Sequence, residues 1–303
     1  MGLSLLEGLS LFDLAEPWPE KLVDIVLPEV KVIYSDVDGT LLGPGGCLFK
    51  DSNHNFTSLP AQAILECHLH YIDIVLVSGR GSRQLHGDAR LLGFKNWIAE
   101  LGCQLVYNMG EVVMLNIGNF PISKDTVWQT IRESGAPELL LKKYRGRLEY
   151  HYPWSENREC THIFRGLVDV DEVNLLLEDA DFGQLKIIDN GQVKRKSDGL
   201  DPQIINAHAY HLLPKESGKA SAVRKDRETR GVPKNMCAAI GDSISDLEIA
   251  GEVGALFLVR NAVTESPEIL DMIKDYPNVF ITKESMGLGW AEAVGFLIRR
   301  LYR

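Results

Sequence analysis

An α/β fold on a parallel, Rossmann-like sheet is predicted by three features of the chain. The short β-branched run at Lys31-Val-Ile-Tyr34 ends in an Asp-Val-Asp-Gly turn, then helix, strand and helix alternate, an order that implies parallel strands. The same texture returns over residues 218–259. Between the two blocks lies a stretch of different rhythm, which predicts a second α/β unit inserted into the first.

Taken in order, residues 1–30 place Leu5, Leu6, Leu9 and Phe12 at near-helical spacing before Glu16-Pro-Trp-Pro ends any helix. This segment is expected to be an extension packed on the core. Residues 32–34 form the first core strand, broken by Gly39. Residues 59–70 read as a helix, 72–77 as a buried strand, and 82–92 as a helix closed by Gly93. A short strand is expected at 97–100, then a hairpin of 104–108 with 112–116 around Met109-Gly110. From about Phe120 the expected elements are a helix at 124–133, strands at 148–152 and 161–164, an acidic helix at 169–179, and strands at 185–188 and 209–213. The first texture resumes with a helix at 218–230, a strand at 236–240, a helix at 244–250 and a strand at 255–259. The predicted division is therefore an extension (1–30), a discontinuous core domain (31–116 and 213–303) and an inserted α/β domain (117–212).

Composition narrows the function classes. A net charge of −10 argues against general nucleic-acid binding, which needs a basic surface. No apolar run approaches the ~20 residues of a membrane helix. Five scattered cysteines without a Cys-x-x-Cys pair support neither a disulfide framework nor a zinc site. The first residues lack a basic leader, and Leu6 departs from the myristoylation pattern. The expectation is a cytoplasmic protein, monomeric or homodimeric.

Four segments carry chemistry. Asp36 and Asp38 stand at the exit of the first strand, where ligands of open α/β sheets bind. Two acids there repel unless a cation compensates, and an all-oxygen site favours Mg²⁺ or Ca²⁺. An ordinary Asp-Gly turn is the competing reading. Ser78 and Gly79 follow the second strand, where a hydroxyl and backbone N–H groups at a helix start suit phosphate oxygens or simply cap the helix. Lys219 falls in the first turn of its helix, against the dipole, a placement that makes better sense with an anion beside it, although a lysine taken alone reads as a solvated surface residue. Asp242 and Asp246, four apart after another buried strand, either complete a metal site with Asp36 or cap their helix.

In this order, Asp36-Val-Asp38-Gly-Thr40, Ser78, Lys219 and Gly241-Asp242-Ser-Ile-Ser-Asp246 resemble the motifs of the haloacid dehalogenase superfamily of phosphotransferases. The insertion between the second and third motifs resembles the α/β cap of the Cof-like subgroup, which includes sugar-phosphate phosphatases and phosphomannomutase. The resemblance implies that Asp36 is the nucleophile and forms an aspartyl phosphate, and that Asp38 is the acid and base. It further implies that Thr40, Ser78, Gly79 and Lys219 hold the phosphoryl group, and that Asp36, the Asp38 carbonyl, Asp242 and Asp246 serve a Mg²⁺ ion. Ser245 stands where many relatives have Asn, and Leu101 replaces the Asn of a Glu-Asn-Gly segment.

The implied activity is hydrolysis of a small phosphorylated metabolite, a sugar or sugar-acid phosphate. A phosphomutase and a silent binding protein of the same fold are the alternatives; the complete set of motif residues disfavours the silent one. Residues 137–165 are locally basic and rich in aromatics, so Arg145, Arg147 and His151, with Arg80 from the core, are the candidate substrate contacts. His208 and His211 flank the return strand and read as surface or packing residues.

Overall fold

The computed structural model describes residues 27–193 and 199–302. The expected helix of the extension lies outside the described residues. Twelve strands and ten α-helices form the described chain. The first block comprises β1 (Val32–Ser35), α1 (Leu59–Leu69), β2 (Asp73–Val77), α2 (Ser82–Leu92), β3 (Asn96–Ala99), β4 (Gln104–Tyr107) and β5 (Val112–Leu115). The middle block comprises α3 (Val127–Ser134), α4 (Ala136–Lys143), β6 (Leu148–Tyr150), β7 (His162–Gly166), α5 (Val170–Asp179), β8 (Leu185–Val193) and β9 (Ala207–Pro214). The last comprises α6 (Lys219–Arg230), β10 (Cys237–Gly241), α7 (Ile244–Leu247), β11 (Ala255–Leu258), α8 (Asn261–Glu265), α9 (Ile269–Met272), β12 (Val279–Ile281) and α10 (Met286–Arg299).

Eight strands make one sheet in the order β12-β11-β10-β1-β2-β3-β4-β5, parallel from β12 to β3 and antiparallel beyond. Alternation along β1 explains its central place: Ile33 joins the apolar layer of α1, α2 and α10, while Val32 and Tyr34 join the layer of α6. Both faces are covered, so all four residues of the strand are buried. Four antiparallel strands, β6-β7-β9-β8, form a second sheet covered on one face by α3, α4 and α5.

Several boundaries shift for local reasons. The helix expected at 124–133 starts at Val127, because the Thr126 hydroxyl caps it by accepting from Gln129 N. The helix expected at 244–250 is α-helical only to Leu247 and tightens to a 3₁₀ turn over Glu248–Glu252. The return strand, expected at 209–213, runs over Ala207–Pro214, so His208 lies within β9 as His211 does, and His211 is buried rather than at the surface. Among the described residues, no helix is long and apolar enough to cross a membrane.

Candidate active site

Because β10, β1 and β2 are adjacent and parallel, their carboxyl ends open on one edge, where Asp242, Asp36 and Ser78 follow the last residues of the strands. Lys219 reaches the same point from the start of α6. Its Nζ donates to Asp36 Oδ1 at 2.8 Å and to Asp246 Oδ1 at 2.7 Å, with all three side chains buried. The α6 start comes close because Gly102 packs on it: a Cβ there would fall 2.1 Å from the Gly218 carbonyl oxygen.

Asp242 is held from two sides. Thr40 Oγ1 donates to its Oδ1 at 3.0 Å, and Asn261 Nδ2 donates to its Oδ2 at 3.1 Å and to the Gly39 carbonyl at 3.0 Å. Gly39 has φ +81°, and a Cβ would fall 2.2 Å from Asp242, so both the turn and the close approach require glycine. Asp246 is fully engaged: beside Lys219, its Oδ2 accepts from Ser243 Oγ at 2.6 Å and from the amides of Ser243 and Asp242. Ser245, at the position of the missing Asn, reaches Ser243 Oγ at 2.9 Å.

Ligand oxygens of Asp36, Asp242 and Asp246 lie within 4.8 Å of one another. One ammonium faces three carboxylates, and the electrostatics show the imbalance. Burial, offset by Lys219 and reinforced by Asp246, pushes the Asp36 carboxyl up to about 7. Burial and the neighbouring Asp36 raise Asp242 well above the carboxylate range. Lys219 is driven higher despite its burial, because Asp246 and Asp36 favour its charge. An all-oxygen donor set with surplus negative charge fits a hard divalent cation such as Mg²⁺.

Asp38 sits at the mouth with its carboxylate exposed, gripped by Arg80 through Nε–Oδ2 (2.7 Å) and Nη2–Oδ1 (2.6 Å). Arg80 is anchored in turn to Asp88 at 2.7 Å. Ser78 is buried, and its Oγ accepts from Arg80 N at 3.2 Å.

The sequence-selected residues of the second unit divide. His151 is half-buried with an unpartnered Nδ1, and burial, with Arg165 nearby, lowers it to about 4. Arg145 is exposed, and Arg147 is occupied by the Leu167 carbonyl and the Tyr144 ring. The structure brings neither arginine into the carboxylate cluster. It brings others that sequence reasoning missed. Arg158, buried, donates to the Gly79 carbonyl at 2.8 Å. Glu100, with no exposed surface, accepts from the amides of Glu159, Cys160 and Thr161 and from Thr161 Oγ1, tying the second unit to the end of β3. His211 and Asn190 press on Gly79 from above. For Asn261 the available signal was a polar residue just past a buried strand; for Glu100 it was an acid at a strand exit.

Comparison with known proteins agrees with this geometry. The family model described as haloacid dehalogenase-like hydrolase matches residues 143–279. Phosphoglycolate phosphatase 1 of Saccharolobus solfataricus is 29% identical over 154 residues, which are 47% of this chain and 63% of that protein, so the match leaves more than a third of that relative uncovered. Phosphoglycolate phosphatase of Sulfolobus acidocaldarius is 24% identical over 267 residues, 88% of this chain and 95% of the relative. Among solved structures, a Thermoplasma acidophilum protein superposes with a TM-score of 0.60 at 16% identity, over 90% of this chain and 99% of that one. Sucrose-phosphatase from Synechocystis, solved with sucrose and phosphate, does so with a TM-score of 0.58 at 15% identity, over 89% and 98%. The structural likenesses establish the shared fold.

Proposed function

From the match of residues 143–279 to the haloacid dehalogenase-like hydrolases, we propose a Mg²⁺-dependent phosphatase that hydrolyses a small phosphorylated metabolite, a sugar or sugar-acid phosphate, through an aspartyl phosphate. The observation that carries the reading is the buried cluster of Asp36, Asp242 and Asp246 around the single Lys219 ammonium. Such a cluster of surplus negative charge is costly without a cation to share it. The names of the archaeal relatives add phosphoglycolate to the candidate substrates.

In this reading residues 31–116 and 213–303 are the catalytic core and 117–212 the cap. Asp36 attacks phosphorus, the bond to the leaving oxygen breaks, and Asp38 delivers a proton to that oxygen. Water then attacks the phosphorus of the aspartyl phosphate, Asp38 takes its proton, and phosphate leaves with Asp36 restored. Lys219 holds charge on Asp36 and the phosphoryl oxygens together, Ser78 and the Gly79 backbone receive those oxygens, and Asp246 fixes Lys219 in place. Thr40 contributes through Asp242, to which its hydroxyl donates. Asp36, the Asp38 carbonyl and Asp242 would hold Mg²⁺, which when bound screens the anionic nucleophile from the anionic phosphate. Asp38 must exchange its grip on Arg80 for the leaving group, and its exposure at the mouth leaves room for that rotation.

Asp36→Asn tests the assignment. The variant is expected to lose phosphate release across a panel of phosphorylated sugars, sugar acids and p-nitrophenyl phosphate while keeping its fold by circular dichroism. Turnover near that of the unaltered chain would remove Asp36 from the role of nucleophile.

A further inference from the structure

Among the described residues, β5 leaves one edge of the eight-stranded sheet uncovered. It is an apolar strand, Val112-Val-Met-Leu115, without proline, glycine or charge, and Val112, Val113 and Leu115 are 47%, 54% and 36% exposed. Edge strands that stay single are usually short, charged or interrupted, because a row of free N–H and C=O groups is a template for another chain. The opposite edge, β12, has three residues, with Phe280 buried. Register decides which backbone groups of β5 are free. Asn116 N donates to the Cys103 carbonyl and β5 runs antiparallel to β4, so residues 112, 114 and 116 turn their backbone groups toward β4. Residues 113 and 115 turn theirs outward. The Leu115 carbonyl accordingly accepts from Lys225 Nζ, on α6, at 2.8 Å. The Val113 N–H and C=O have no partner among the described residues.

We propose that β5 pairs antiparallel with β5 of a second copy of this chain, about a two-fold axis at Val113, giving a homodimer with one continuous sheet. An antiparallel strand is self-complementary under a two-fold rotation, so the same patch serves both copies. With Val113 on the axis, it exchanges both of its free backbone hydrogen bonds with the partner's Val113, and the Leu115 carbonyl keeps Lys225. An axis at Met114 would instead require that occupied carbonyl. Glu111, exposed at the start of the strand, then stands opposite the partner's Leu115, the residue that the partner's Lys225 reaches. Neither Glu111 nor Lys225 makes an ion pair among the described residues, and the dimer joins them twice, once on each side of the axis. On one face Val112 meets the partner's Met114, and on the other Val113 meets its own copy, so both faces of the edge gain apolar pairs. The carboxylate cluster takes no part, so the dimer and the phosphatase reading are tested apart.

Sedimentation velocity of the full chain over about a hundredfold range of concentration is expected to show a reversible shift from the mass of one chain to that of two. Val113→Pro removes the outward N–H and leaves the bonds to β4 intact, as proline is tolerated where an edge strand faces solvent. Val113→Lys sets two ammonium groups against each other on the axis. Each is expected to raise the dissociation constant at least ~10-fold, the order of the two hydrogen bonds lost, with the melting temperature of the dilute monomer unchanged. Glu111→Lys is expected to weaken the dimer similarly, and adding Lys225→Glu to bring the constant back to within about three-fold of the unaltered chain. A single-chain mass at every concentration would overturn the proposal. So would a dimer that both Val113 variants leave intact, which would place the contact elsewhere. A charge exchange that fails to restore association would overturn the register at Val113.

Discussion

Glu100→Gln should weaken the junction between the two sheets more than any surface substitution. The Glu100 carboxylate has no exposed surface and accepts from Glu159 N (2.9 Å), Cys160 N (3.1 Å), Thr161 N (2.7 Å) and Thr161 Oγ1 (3.0 Å), with Arg158 Nε at 3.4 Å. Three of the four bonds fall on Oε2 and one on Oε1. Glutamine has one acceptor oxygen, so its better orientation keeps the three and turns an NH₂ against the amide of Glu159. The remaining bonds lose their ionic character, and Arg158 loses its buried counter-charge. An orphaned donor costs ~1–3 kcal/mol and a broken buried pair ~3–5 kcal/mol, so the two, which overlap, place the loss at about 3–5 kcal/mol. Urea unfolding measures the total, and amide hydrogen exchange at Glu159, Cys160 and Thr161 locates it. Because Arg158 also donates to the Gly79 carbonyl, kcat should fall with the latch. A change under about 1 kcal/mol with unaltered exchange at those amides would refute the reasoning.

Three further outcomes are expected. Thorough chelation should stop phosphate release, and added Mg²⁺ should raise the melting temperature more at pH 8 than at pH 6. The Asp36 pKa is raised to about 7, so its contribution to the stability of the metal-free chain is present at low pH and lost as pH rises through 7, where the cation replaces the proton; equal shifts at both values would count against this. His162, buried and stacked on Trp128, is lowered from 6.5 to about 4, first by burial, so its contribution is full above pH 6.5 and is lost as pH falls toward 4. The loss should be on the order of 1 kcal/mol per pH unit, and His162→Gln should flatten that part of the urea-stability profile; an unchanged slope would exclude His162 as the source.

Sequence periodicity was a good guide wherever the signal was local. The helix at Ser82–Leu92 ends at Gly93, which takes the left-handed conformation expected of a terminal glycine. The helix at Ala136–Lys143 is masked in the sequence because Gly135-Ala-Pro looks like a break, yet Pro137 sits in its first turn, where proline is tolerated. The C-terminal helix Met286–Arg299 was equally hidden: nearly every face is buried, so it has little amphipathic stripe.

The amino-acid sequence by itself determined where the reactive side chains stand along the chain: acids and hydroxyls directly after apolar runs, a lysine opening a helix. Those placements depend on neighbours a few residues away, because strands end where the pattern ends. Only the tertiary structure decided what each group touches. Lys219 meets Asp36 across 183 residues, Asn261 meets the Gly39 carbonyl across 222, and Glu100 meets Thr161 across 61. His211 changed from a packing residue at a strand end to a buried imidazole over Gly79, because the antiparallel register of β9 with β7 and β8 sets which face it occupies. Hydrogen bonds and ion pairs act over a few ångströms of space, and spacing along the chain carries no record of that distance until the sheets have formed.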